Sequence, residues 1–324
     1  MKKRILSGMR PTGKLHLGNY VGALQNWVKL QDEYENFFFI ANWHALTTNL
    51  DTSVLRDLTL DMIMDWLSAG INPEKSPIFV QSDVRAHAEL HLLFSMLVST
   101  ARLERNPTLK EQVRDLNSEN ISYGHLGYPV LQSADILIYR ANLVPVGEDQ
   151  MANVEITREI ARKFNSTYGD VFPIPETKLT SFPRLPGLDG KKMSKSIGNT
   201  VLMSDSEEEI NKKVRKAITD PQKVRRDDPG HPDVCNVFTY HMVFNPTETD
   251  EIRKECESGA LGCVDCKNNC TAKIADYFEP MREKRVEYEK SPQTVLDILD
   301  DGAKRAKVEA EKTMALVREA MRLR

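Results

Sequence analysis

The sequence predicts an α/β protein, with a doubly wound parallel sheet over residues 1–190 and an α-helical domain over 191–324. Three observations carry this. Short, uniformly apolar runs recur early in the chain, as in strands buried on both faces. Amphipathic helical stretches separate them, the alternation that winds a parallel sheet. After about residue 204 the strand signals stop and only helical periodicity remains.

In chain order, Arg4-Ile5-Leu6-Ser7 is the first strand and 19–30 the helix after it. Phe37-Phe38-Phe39-Ile40-Ala41 and Pro77-Ile78-Phe79-Val80-Gln81 are buried strands. Between these two runs 53–70 reads as a helix. Ser53 is its expected cap, Leu55, Leu58, Met62, Ile63, Trp66 and Leu67 recur at helical spacing, and Gly70 stops it. Residues 84–104 read as one helix, apolar on too many sides for a free surface, and therefore a core element or a subunit contact. In the second domain 207–218, 271–288 and 303–321 are helical, and the polar segment 219–233 leads to the cysteines.

A chain of 324 residues has room for two domains, and its 40% apolar and 28% charged residues fit an ordinary globular protein. The net charge of −3 provides no global attraction for nucleic acid. Any RNA contact must come from local runs such as Lys212-Lys213-Val214-Arg215-Lys216 or Lys223-Val224-Arg225-Arg226, whose plain alternative is a solvated face. No apolar stretch approaches the ~20 residues of a membrane span. Lys2-Lys3-Arg4 leads into Gly8, Arg10 and Pro11, which leaves no room for a signal-peptide core. A cytoplasmic location is expected.

Two segments carry the chemistry. Lys14-Leu15-His16-Leu17-Gly18-Asn19-Tyr20 follows the first strand, where an α/β sheet presents a helix N-terminus to phosphate. His16 and Asn19 supply donors there, while Gly18 and Gly22 supply room for a nucleotide. Lys191-Lys192-Met193-Ser194-Lys195-Ser196 sets two lysines on a small-residue loop, suited to a polyphosphate whose charge grows as it leaves. In this order the pair resembles the HIGH and KMSKS signatures of class I aminoacyl-tRNA synthetases. The resemblance implies a Rossmann-like catalytic domain that uses ATP with Mg²⁺, with His16, Asn19, Lys192 and Lys195 catalytic. It implies ATP contacts from Arg10, Gly18, Asn19, Gly147, Asp149, Lys192, Met193, Ser194 and Lys195. Asn19 stands where the family has a second histidine, as in some bacterial members. Lys110-Glu111 lies where the family often has a K-E-K element, and Gln112 replaces its last lysine.

Further segments narrow the family. Residues 128, 132 and 135 of Tyr128-Pro129-Val130-Leu131-Gln132-Ser133-Ala134-Asp135-Ile136 are placed to face one pocket, and Val144-Pro145-Val146-Gly147-Glu148-Asp149-Gln150 is a strand-end turn. With Ser7-Gly8, Asn42-Trp43-His44-Ala45 and Ile156-Thr157-Arg158-Glu159, they resemble tryptophanyl-tRNA synthetases almost end to end. The tyrosyl enzymes share the first pattern but typically carry Gly-Ser/Ala-Asp-Gln-Trp at the second. The resemblance implies a homodimer, with 84–104 in its interface, that joins L-tryptophan to ATP and passes it to tRNA(Trp). Asp135 would accept the indole N–H and Gln150 hold the amino acid, with Gly147 and Asp149 at ribose or adenine. Leu6, Ser7, His44, Tyr128, Gln132, Val144 and Val146 would complete the tryptophan pocket. Gln132 stands where many bacterial relatives have Met, and would pair with the α-amino group. The plain alternative for Asp135 is a helix cap. A carboxylate that needs a partner rejects phenylalanine by roughly 10⁴–10⁵ in rate. Tyrosine can offer its hydroxyl, so pocket shape must sort it. The competing readings are a tyrosyl enzyme and a non-catalytic, synthetase-like RNA-binding redox regulator. The second would have lost motif residues that are present here.

All five cysteines fall between 235 and 270. Clustering of this kind points to metal rather than disulfides in a cytosolic chain. Cys235, Cys256, Cys263 and Cys266 suit tetrahedral zinc or a [4Fe–4S] cluster equally. Resemblance to a thermophile-associated branch of the tryptophanyl enzymes, which binds [4Fe–4S] in its anticodon-binding region, implies the cluster, although the first gap is shorter here. Cys270 is a spare, free or a substitute for Cys266.

Overall fold

The computed structural model describes residues 2–115, 121–147, 150–179 and 185–323. Five parallel strands, β1 (Arg4–Met9), β2 (Glu35–Ile40), β3 (Ile78–Val80), β4 (Leu143–Val146) and β5 (Glu176–Leu179), lie in the order β3-β2-β1-β4-β5. The order reverses between β1 and β4. A doubly wound sheet opens its ligand crevice there, beyond the strand carboxyl ends. Each face of the sheet is covered. Phe38 stacks on Trp27 at 4.9 Å, and Trp27 meets Trp66 edge-on at 5.1 Å. On the other face Phe37 stacks on Tyr139 at 4.7 Å and Phe39 packs on Phe79 at 6.0 Å. The unbroken Phe37-Phe38-Phe39 run therefore feeds two cores by strand alternation.

The expected helices are present with altered ends. The first begins at α1 (Leu17–Asn19), passes through a π-helical turn at Tyr20–Leu24 and continues as α2 (Gln25–Leu30). After α3 (Asn42–Leu46), helix α4 (Leu55–Ser68) starts without a Ser53 cap. Ser53 N–H is instead held by Asp51 Oδ1 at 2.9 Å, in a turn that precedes the helix. The single helix expected over 84–104 is two, α5 (Ala86–Ser95) and α6 (Thr100–Glu104). Ser99 breaks it by taking an extended backbone and capping α6 at Arg102 N–H. Leu92 and Met96 of this region stay exposed, while Phe94 is buried in the core. Then come α7 (Pro107–Asp115), α8 (Tyr123–Ile138) and α9 (Met151–Tyr168).

The C-terminal helices are α10 (Glu207–Val214), α11 (Asn236–Phe244), α12 (Thr249–Glu257), α13 (Cys263–Lys290) and α14 (Pro292–Ala320). The expected 207–218 helix is shortened at its end, and a Ser206–Glu209 capping box fixes its start. Among the described residues no helix is long and apolar enough to cross a membrane. Helix α14 returns to the sheet and covers the edge strand β3. Its Ala303, Ala306, Ala310, Met314 and Val317 join the same core as Phe79 and Tyr139.

The tightest point of this return is Gly302, where a Cβ would sit 1.9 Å from the carbonyl oxygen of Ile78. A backbone atom cannot swing aside as a side chain can. Gly302→Ala is therefore expected to destabilise the protein by about 3 kcal/mol. Thermal unfolding checks this, and a melt unchanged from the parent would mean that α14 slides freely over β3.

Candidate active site

The first motif is a helix start built from unusual residues. His16 is the N-cap of α1, and its Nδ1 accepts the N–H of Asn19 at 3.2 Å. Asn19 Oδ1 accepts the N–H of His16 at 3.1 Å, closing a capping box normally made by Ser and Glu. This gives Asn19 a structural reason beside any ligand contact. Burial, and then the nearby positive charge of Lys195, push the His16 pKa down to about 4. The ring is thus neutral near pH 7, and because Nδ1 accepts, the proton is on Nε2, which is left as a donor. At Gly18 a Cβ would lie 3.1 Å from His16 Nδ1 and 3.4 Å from Met193 Sδ, so any side chain would press on both motifs.

The second motif is zipped to the first by backbone. Leu17 N–H donates to Val201 O and Met203 N–H to Leu15 O, both at 2.9 Å, around an antiparallel bridge between His16 and Leu202. Gly18 N–H also points at Met193 Sδ, at 3.4 Å. Lys195 Nζ donates to the carbonyl of Thr12, and burial pulls its pKa down, while Lys192 is exposed. The lysine loop keeps its shape through buried Asn199. Asn199 Oδ1 accepts Ser194 N–H at 2.7 Å, and its Nδ2 donates to Asp189 at 2.7 Å and to Lys192 O at 3.0 Å. Asn199 was not singled out in the sequence, where an Asn after a Gly reads only as a turn.

Beside these motifs, beyond the carboxyl ends of β1 and β4, lies a cavity of about 340 Å³. Leu6, Ser7, Arg10, His44, Tyr128, Gln132, Asp135, Val144, Val146, Gly147 and Gln150 all line it. His16, Gly18, Asn19, Lys192, Met193, Ser194 and Lys195 do not line it; they form an adjoining group, joined to it along the chain through Arg10 and Gly22. Asp149 lies outside the described residues. Trp27, Phe39, Thr47 and Gln112 line the cavity too and were not anticipated there. Gln112 Oε1 accepts from His125 Nε2 at 3.2 Å, and its Nε2 donates to Tyr128 OH at 3.3 Å. The residue in place of the expected lysine therefore braces the Tyr128 wall of the cavity.

Asp135 is the centre of this wall. It sits inside α8, not at a helix end, so the cap alternative is excluded. Its Oδ1 accepts from Gln81 at 2.7 Å and from His87 Nδ1 at 2.6 Å, and its Oδ2 is paired with His44 Nε2 at 2.7 Å. Burial alone would raise its pKa, but the hydrogen bonds from His44 and His87 outweigh this and hold it at about 2. His87 is itself steadied by Tyr139 OH on Nε2 at 2.8 Å. Oδ1 is saturated by two donors, whereas Oδ2 has one lone pair left for an N–H or O–H entering the cavity.

The cysteines gather elsewhere. Cys235, Cys256, Cys263 and Cys266 line one small cavity with Thr219, Asp220, Lys223 and Leu261. Cys270 does not line it; it is buried in the core beneath, so it is no substitute for Cys266. Among the described residues no three His, Cys, Asp or Glu side chains are grouped to hold a metal ion. Burial first, and then the neighbouring Cys235, Cys256 and Cys263, push the Cys266 thiol up to about 12. The basic runs nearby are partly engaged: Lys213 pairs with Asp205 and Lys223 donates to the carbonyl of Asp228.

Comparison with known proteins agrees with this geometry. Residues 1–279 match the family of tRNA synthetases class I (W and Y). The chain is 52% identical to a tryptophan–tRNA ligase of Thermotoga maritima, with 99% of each chain covered. It is 43% identical to one of Aquifex aeolicus, over 99% of this chain and 100% of that one. The structure of a tryptophanyl-tRNA synthetase from Campylobacter jejuni, complexed with ADP and tryptophan, superposes with a TM-score of 0.89 at 36% identity, covering 98% of this chain and 99% of that one. The chain belongs to the class I tryptophanyl-tRNA synthetase family.

Proposed function

We propose that this chain is a tryptophan–tRNA ligase that activates L-tryptophan with ATP and then acylates tRNA(Trp). The observation that carries the choice of amino acid is Asp135: a buried, ionised carboxylate with one open lone pair, set in a cavity of mixed lining next to the interlocked motifs. An indole N–H satisfies that lone pair, whereas phenylalanine would leave it unpaired. Leu6, Val144 and Val146 would pack the ring, and Tyr128, Gln132 and Gln150 would hold the α-amino and carboxylate end.

In the first step a carboxylate oxygen of tryptophan bonds to the α-phosphorus as the bond to the bridging oxygen breaks, and pyrophosphate leaves with the electron pair. No bond to the enzyme forms, so the protein contributes orientation and charge neutralisation. The neutral Nε2–H of His16 donates to the α-phosphate, and Gly18 lets the nucleotide approach the backbone. Lys192 and Lys195 neutralise the departing pyrophosphate. Mg²⁺ accompanying ATP adds further positive charge on its phosphates. In the second step a ribose hydroxyl of the tRNA terminus takes the acyl group and AMP departs. A cytoplasmic homodimer, with exposed Leu92 and Met96 in its contact, completes the reading.

We further infer that Cys235, Cys256, Cys263 and Cys266 hold a [4Fe–4S] cluster. The support is that four thiols, those of Cys235, Cys256 and the first turn of α13, line one cavity, the number of thiolates such a cluster takes. Burial raises the thiol pKa values of Cys235, Cys256 and Cys266, so binding such a group there releases protons.

Three outcomes follow from these assignments. Lys195→Ala is expected to slow tryptophan-dependent ATP–pyrophosphate exchange by roughly a hundredfold with the KM for tryptophan unchanged, because its contacts strengthen only as charge builds. Exchange at the parental rate would remove Lys195 from the reaction. Asp135→Ala should raise the KM for tryptophan by roughly tenfold to a hundredfold, and a parental KM would take Asp135 out of the indole site. Protein purified without oxygen should absorb broadly in the visible and carry about four irons per chain, lost in Cys263→Ser. A colourless product holding zinc, or no metal, would refute the cluster and leave the ligase reading standing.

A further inference from the structure

Beneath the first motif lies a charge cluster that the reaction scheme above does not use. Asp65 on α4 is 2% exposed, and its Oδ2 accepts the backbone N–H of Leu15, the residue before His16, at 2.5 Å. Its Oδ1 accepts from Nη1 of Arg285 at 2.5 Å. Arg285 is on α13 and is itself 4% exposed. The same guanidinium reaches the carbonyl of Asp61 at 2.8 Å and its carboxylate at 2.5 Å, and its Nε meets Glu289 at 2.9 Å. One cation from the C-terminal half thus serves two carboxylates under the nucleotide side of the N-terminal half.

A second cation is within their field. The Lys195 ammonium lies 3.9 Å from where a Cβ of Gly13 would sit, two residues before Leu15; burial lowers its pKa, and Asp65 and Asp61 act against that lowering. Lys195 sits on the loop of the second motif, and its ammonium is tethered only to the carbonyl of Thr12 among the bonds of the described residues. A buried carboxylate left without its partner is costly enough to recruit the nearest flexible cation, and a lysine stem on a loop can swing to it. The two cations therefore compete for one pair of anions, and the outcome decides where Lys195 points.

We infer that Arg285 is a positioning residue for Lys195: by satisfying Asp65 and Asp61 it leaves the lysine available to the pyrophosphate of ATP. This rests on the reading of Lys195 given above. The rigid guanidinium fork suits the task, because it binds both carboxylates at once and withholds them from a monovalent ammonium. Leu15 N–H remains on Asp65 throughout, so the first motif keeps its place.

The test is tryptophan-dependent ATP–pyrophosphate exchange on the full chain. Arg285→Met should lower kcat by roughly tenfold or more while the KM for tryptophan stays within about twofold, since Lys195 is drawn into the vacated anion pair. Lys195→Ala should then add little in the Arg285→Met background, against roughly a hundredfold in the parent. Asp65→Asn keeps a carbonyl oxygen for Leu15 N–H but removes the attracting charge, and Asp61 is partly solvated. The double variant Asp65→Asn/Arg285→Met should therefore recover to less than about a tenfold loss. A full, unreduced cost of Lys195→Ala in the Arg285→Met background, or no recovery on adding Asp65→Asn, would overturn the inference. If Arg285→Met fails to fold, the double variant decides alone, on the same threshold. Should Lys195→Ala leave the parent unaffected, the reading of Lys195 itself falls, and that result is independent of Arg285.

Discussion

Two backbone bonds, from Leu17 to Val201 and from Met203 to Leu15, hold together loops that arrive from opposite ends of the sheet's chain path. They set the distance between the imidazole of His16 and the ammonium groups of the lysine loop. Main-chain bonds suit this, because they fix register without depending on side-chain rotamers. Around them the local supports fall into place: the reciprocal capping of His16 and Asn19, the thioether of Met193 over Gly18, and Asn199 inside the lysine loop. Each shapes one motif, but only the backbone pairing shapes both.

The site combines two kinds of buried electrostatics with opposite logic. His16 is kept uncharged by burial and by a neighbouring cation, which leaves its Nε2–H a hydrogen-bond donor that carries no charge. Asp135 is kept charged in the interior because three donors replace the water it gives up. Desolvation is common to both. The number of donors facing the group decides which form survives, so the neutral base and the charged acid can stand in adjoining sites. The same rule covers Asp65: burial raises its pKa to about 6 even though Arg285 and Leu15 N–H pull it down.

Much of the cavity was legible in the sequence because its residues lie on motifs with fixed spacing. Tyr128, Gln132 and Asp135 follow the helical repeat, and Ser7 and Val144 lie in β1 and β4, the apolar strands that flank the switch point. What could not be read was each partner that arrives from elsewhere. Gln81 and His87, which complete the carboxylate of Asp135, belong to a turn and a helix with no motif of their own. Periodicity records which face a residue shows, not whose hydrogen bond it accepts. The break at Ser99 and the loss of the Ser53 cap have a similar cause: a serine that can cap one helix can equally be captured by a turn or end another. Gln112, read as a lost lysine, proves to brace Tyr128, a role that no substitution pattern within one motif reveals.

The contact at Gly302 has a consequence for how the chain is made. Strand β3 and the core behind Phe79 and Tyr139 are closed by α14, which is C-terminal to every strand of the sheet. During synthesis the sheet must therefore wait with one edge and one apolar face open until that helix has left the ribosome. The N-terminal half holds every described residue that lines the cavity, yet it does not acquire its full core by itself. A translation stalled before Gly302 would leave a chain with a complete crevice and an unsealed sheet, exposed at β3 to any other strand that can pair with it.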